Sequence, residues 1–107
     1  MKNDYGEELD RNGYAQSLFK ATRCVLCGSR GELVRHEIYG GTRRSNAKAY
    51  GAWMTLCPRC HEDIHAHPAD YAHLKEITQK AMQDAYGMDT DEFIEKFGKN
   101  YREDIEC

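Results

Sequence analysis

Cys24, Cys27, Cys57 and Cys60 form two C-x-x-C pairs separated by 29 residues. Each pair spans the narrow angle between two corners of a zinc tetrahedron, and four thiolates make the soft ligand set of a closed structural site. Ligation deprotonates the thiols and, in small metal-dependent domains, supplies roughly 10–16 kcal/mol. A chain of 107 residues buries only a modest share of its surface and gains from such a staple. A redox role is the competing reading of a C-x-x-C pair, but two pairs occur together and no thioredoxin-like βαβ pattern surrounds them. Cys107 reads as a spare thiol.

A zinc knuckle does not account for His36-Glu37, which lie between the two pairs, or for His61 and His65, which follow the second pair. Residues four apart on a helix share one face about a turn apart, so His61 and His65 can present two imidazoles to a single ion. Two solvated histidines on a polar helix are the alternative.

The elements that must position these groups follow from local pattern. Leu33–Ile38 and Trp53–Leu56 are short, apolar-rich and bounded by glycine-containing turns, which predicts the two strands of a hairpin. Tyr39–Gly51 between them, with Gly40, Gly41 and Gly51 beside Arg43, Arg44 and Lys48, predicts a long, flexible, basic loop. Cys57–His65 can open a helix, Pro58 being tolerated in a first turn where its missing N–H has no intrahelical partner. From Pro68 on, Tyr71, Leu74, Ile77, Ala81, Met82 and Ala85 mark the apolar face of an amphipathic helix ending near Gly87. Asp89 and Glu92 resemble a capping box before a last helix carrying Phe93, Ile94 and Phe97 and stopped by Gly98. The first 22 residues have no clear period and read as a peripheral arm on which Tyr14, Leu18 and Phe19 could pack.

Composition bounds the function. Hydrophobic residues are 40% and charged residues 31%, with a mean hydropathy of -0.83, as in one soluble globular domain with no transmembrane run. The acidic opening MKNDYGEELDRNG does not look like a secretory signal. The expectation is a cytoplasmic protein with no membrane partner, where reducing conditions favour metal ligation over disulfides. The net charge of -3 hides an asymmetry: residues 20–60 carry eight Lys or Arg against Glu32 and Glu37, a net +6, between acidic flanks. Such a stretch suits a phosphate-binding face or an ordinary solvated surface. Arg43, Arg44 and Lys48, with Arg59 and Arg35 adding to the same face, would neutralise backbone phosphates with little sequence preference. Trp53, Tyr39 and Tyr50 could stack on bases, although core packing suits Trp53 better.

The segments CVLC, RHEIYGG and LCPRCHEDIH, in that order, resemble the HNH nuclease family over about residues 22–67. RHEIYGG with TRRSNAKAYG, and the later DEFIEKFGKNY, are similar to small bacteriophage-encoded HNH proteins, which extends the likeness over most of the chain. The resemblance implies an α+β fold, a small zinc-stabilised ββα-metal (HNH-like) module with additional C-terminal helices. Residues 1–21 would be an N-terminal arm, 22–67 the zinc-bound core, and 68–107 a helical extension of the same domain. It implies a metal-dependent endonuclease that hydrolyses DNA phosphodiesters in a bacterial or phage-infected cell.

Within that resemblance His36 matches the general base. His61 and His65 match ligands of a second, catalytic divalent cation such as Mg²⁺, Mn²⁺, Ni²⁺ or Zn²⁺, beside the structural Zn²⁺ of the four cysteines. A third ligand would come from the first strand, where many relatives carry Asp, Glu or His before the base; here that residue is Arg35, which cannot ligate a cation. Sliding the match by one makes His36 a ligand and Glu37 the base or the acidic ligand, and both assignments stay open. Asn46 is the available counterpart of the family's central Asn. The alternative is a noncatalytic zinc module that binds nucleic acid or a protein partner, and a third reading is a phage scaffold with no affinity for nucleic acid. A homodimer is possible, through Phe93 and Phe97 or otherwise.

Overall fold

The computed structural model describes residues 1–20 and 22–102, so Cys107 lies outside the described residues. The chain is α+β. Strand β1 (Val34–Glu37) pairs antiparallel with β2 (Trp53–Leu56), His36 opposite Met54 and Glu37 opposite Trp53. Between them the expected loop is largely helical: a 3-10 turn at Gly41–Arg43 leads into α1 (Arg44–Ala49). Ala47 explains this. It is fully buried, and its carbonyl accepts from Ala52 N–H at 2.8 Å, so the connection folds back onto β2 instead of looping into solvent.

Helix α2 (Pro58–Ala66) begins where the cysteine and proline signals predict. Cys57 is the N-cap, its Sγ accepting from the Cys60 N–H, and Pro58 occupies the first turn. A 3-10 turn at Pro68–Tyr71 leads to α3 (His73–Tyr86), closed by Gly87 in the left-handed region. The last element, α4 (Thr90–Phe97), starts at Asp89, whose side chain accepts from Glu92 N–H at 2.8 Å. Only half of a capping box forms, because the Glu92 carboxylate turns instead to the hydroxyl of Tyr5.

The buried face of α3 is Leu74, Thr78, Gln79 and Met82, whereas Ile77 is 48% exposed and Ala85 lies outside. Two polar residues occupy the core because their groups find partners. Thr78 Oγ1 donates to Leu74 O, and Gln79 bonds Gln83, Asn100 and the backbone N–H of Tyr101. Phe93 and Phe97 are buried against Tyr39 and Tyr101, so they are core residues and not an external face on which a second copy could dock.

The arm is not peripheral. Ala15 and Ser17 are buried. Ala15 N–H donates to Lys48 O and Leu18 N–H to Gly51 O, both at 2.9 Å. Asn3 reaches Ala49 O, and Tyr5 packs between Tyr50 and Tyr86. The arm therefore clamps the far side of the hairpin connection. Among the described residues no helix is long and apolar enough to cross a membrane.

Candidate metal centre

Two groups of donor atoms converge. Cys24, Cys27, Cys57 and Cys60 bring their sulfurs within 4.8 Å of one another, close enough to hold a metal ion. The Cys27 and Cys57 sulfurs are 3.7 Å apart, about the ~3.8 Å edge of a tetrahedron with metal–sulfur bonds near 2.3 Å. Backbone N–H groups point at the sulfurs as they would at thiolates: Cys27 N to Cys24 Sγ and Cys60 N to Cys57 Sγ. Burial raises the Cys24 thiol, but N–H groups around it outweigh that and hold it near 6. Cys57 is held below its usual value by the Cys60 N–H, while burial and the three neighbouring sulfurs push Cys60 up to about 12. Four sulfurs this close resist full ionisation until a cation joins them, which is the linkage of a thiolate metal site.

The second group is His36, His61 and His65, whose ring nitrogens also lie within 4.8 Å of one another. The Nε2 atoms of His61 and His65 are 3.2 Å apart, near the roughly 3.4 Å edge expected for two nitrogens about 2.1 Å from one tetrahedral ion. Helical spacing aligns those two, and β1 brings His36 against them with ring centroids 5.2 and 5.6 Å away. Burial, then the charges of His61 and His65, lowers His36 to about 4. Burial and His65 lower His61 as well. Neutral imidazoles are the form that ligates a metal.

Strand pleat separates the neighbours of His36. Successive side chains alternate between faces, which keeps Arg35 and Glu37 out of the cluster of nitrogens, but β1 ends at Glu37 and both residues border the same cleft as His36. Arg35 lies over the rings of Tyr14 and Trp53, 4.3 and 5.0 Å from their centroids, and pairs with Asp10 at 3.5 Å. Arg35 also borders the cleft of the imidazoles, but a guanidinium cannot ligate a cation, and the donor that β1 contributes to the cluster is His36. Glu37 is outside the group of converging nitrogens. Its Oε2 accepts from Tyr14 Oη at 2.5 Å and its Oε1 lies 3.5 Å from Arg44 Nε.

The imidazoles open into a cleft of about 530 Å³ whose walls include Glu37, Arg44, Ile64, Leu74 and Lys75. Comparison with family models, curated proteins and solved structures returned no match.

The expected basic face does not form as one surface. Arg44 reaches the cleft. Arg43 instead donates to Lys96 O and lies against Gly98 at the end of α4. Lys48 stands over the Tyr14 ring. Arg59 borders a separate hollow with Glu62 and Asp63. Asn46 is a fastener, donating to Lys96 O at 2.8 Å. Trp53 Nε1 donates to Ala15 O, while Tyr39 and Tyr50 are buried, so these rings belong to the packing. Lys75 and Tyr14 were not legible as site residues. No spacing links α3 or the arm to the histidines, although the period-2 pattern of β1 does separate His36 from Glu37.

Proposed function

We propose that the protein is a metal-dependent HNH-type endonuclease with a ββα-metal core, hydrolysing DNA phosphodiester bonds. The observation that carries this reading is the convergence of His36, His61 and His65 in a cleft that also holds Glu37, Arg44 and Lys75. In this reading His36 is a ligand, because two imidazoles alone would leave the ion half held. Glu37, next along the chain, takes the place of the base. A bound divalent cation supplies positive charge for the phosphoryl oxygens and for the departing 3′ oxygen.

The side chains do the rest. Glu37 accepts the proton of the attacking water, with Tyr14 and Arg44 fixing the carboxylate; a carboxylate has about four lone-pair sites, so two donors leave capacity for the water. Arg44 and Lys75 neutralise non-bridging oxygens, which makes affinity fall with salt and largely ignore sequence. The four cysteines hold a structural Zn²⁺ that ties the knuckle to α2 and keeps the first turn of the helix, and hence His61, in place.

One observation favours a second reading. Both Glu37 oxygens already have partners in the free protein, as suits a noncatalytic module that grips nucleic acid through the cation, Arg44 and Lys75. Supercoiled plasmid separates the two. Zinc-loaded protein supplied with Mg²⁺, Mn²⁺ or Ni²⁺ is expected to nick it. Glu37→Gln should retain metal and DNA binding but lose nicking, and absence of nicking by the unmodified, folded protein with every metal would leave the binding module.

A further inference from the structure

The cleft is larger than a metal-bound phosphate needs. It extends past the imidazoles between α2 and the elbow where residues 68–71 meet α3, and its volume of about 530 Å³ falls in the roughly 300–1,000 Å³ range of pockets for small organic molecules. Its lining combines two chemistries. Arg44, Lys75 and the three histidines supply charge and ligation, whereas Ile38, Ile64, Leu74, Pro68 and Tyr71 supply an apolar wall. Ile38, Ile64 and Leu74 are core residues, 5%, 8% and 8% exposed, so packing fixes that part of the wall, while Pro68 is exposed and Tyr71 half-buried. The Tyr71 hydroxyl is committed to Asp63, and that of Tyr39 to Lys75 O, a bond that also fixes the start of α3 beside the cleft.

Groups able to bind phosphate beside an apolar wall match a nucleotide. Resting on the reading above, we infer that the apolar wall seats the base of a nucleotide whose phosphate lies at the imidazoles, so that the preferred substrate is unpaired DNA. In a continuous duplex both base faces are stacked and the base would have to be extruded, at a cost of a few kcal/mol, before it could enter. An unpaired strand offers its bases freely, and contact through the base face tolerates any sequence.

Thymidine 5′-monophosphate and 2-deoxyribose 5-phosphate test this directly. Both carry the phosphate, neither has a diester to cut, and only one has a base. Calorimetric titration of zinc-loaded protein in the presence of Ni²⁺ should show the thymidine nucleotide binding about tenfold more tightly, the scale of one base contact. Oligothymidine should displace it at lower concentration than a hairpin duplex of equal nucleotide count. Ala72→Trp, an exposed position on the cleft wall, should abolish the difference between the two phosphates while leaving Ni²⁺ stoichiometry unchanged. Equal binding of the two phosphates to the unmodified protein, or equal competition by duplex and single strand, overturns the inference. If plasmid nicking persists in that case, the nuclease reading survives alone; if neither phosphate binds and nothing is nicked, both readings fall.

Discussion

Tyr14 donates a hydrogen bond to Glu37 across 23 residues of sequence, Oη to Oε2 at 2.5 Å. The phenol comes from the arm and the carboxylate from β1, so the arm sets the orientation of the group proposed as base. Burial, followed by the Glu37 contact, raises the Tyr14 phenol, which keeps it a donor at neutral pH. Tyr14→Phe should reduce plasmid nicking about tenfold, the worth of one well-made hydrogen bond to a charged group at about 1.5 kcal/mol. DNA affinity, measured by fluorescence anisotropy, should stay within twofold.

The cysteine site should govern folding. The sheet has two strands, and a lone hairpin is marginal in water. Stripping zinc with a strong chelator is expected to abolish the cooperative thermal transition seen by circular dichroism, and zinc should restore it. Cys57→Ser should behave like the stripped protein, since it removes a thiolate ligand, while the serine hydroxyl can still cap α2 at this N-cap position. A stripped protein that melts as before would refute the staple.

His61→Ala should do the opposite. His61 is partly exposed and its ring packs on two other imidazoles rather than on the apolar core. Stability should change by less than about 1 kcal/mol. Metal content after equilibration with excess Ni²⁺ should fall from two ions per chain to one, read by mass spectrometry under native conditions.

Arg43 and Arg44 are adjacent in sequence and should give different phenotypes. Arg44→Ala should weaken DNA binding several-fold and flatten its salt dependence, because this guanidinium reaches the cleft. Arg43→Ala should leave DNA binding unchanged and lower stability by about 1 kcal/mol through its lost bond to Lys96 O. Equal effects on DNA binding would mean that both side chains face the substrate.

Gly51 is the tightest joint between arm and hairpin. Its φ is +78°, and a Cβ there would run into the Gln16 carbonyl and crowd Leu18. Gly51→Ala should cost about 2–4 kcal/mol, combining a strained backbone with displacement of the arm. Urea denaturation would measure it, and an unchanged midpoint would mean that the arm yields freely.

The sequence by itself determined what depends on near neighbours along the chain. The i, i+4 spacing of His61 and His65 aligned them because a helix repeats every 3.6 residues. Pro58, Asp89, Gly87 and Gly98 marked helix ends because caps are local. The two C-x-x-C pairs announced a metal knuckle because each pair is its own short turn. Only the tertiary structure decided that His36 joins the other two imidazoles, that Tyr14 and Arg44 hold Glu37, and that Lys75 reaches the cleft. It also dispersed Arg43, Lys48 and Arg59 and buried Thr78 and Gln79 in place of Ile77. Those outcomes depend on partners tens of residues away, such as Asn100 for Gln79 and Lys96 for Arg43. Periodicity reports which face a residue shares with its neighbours in the same element, and packing of one element on another selects what that face will meet.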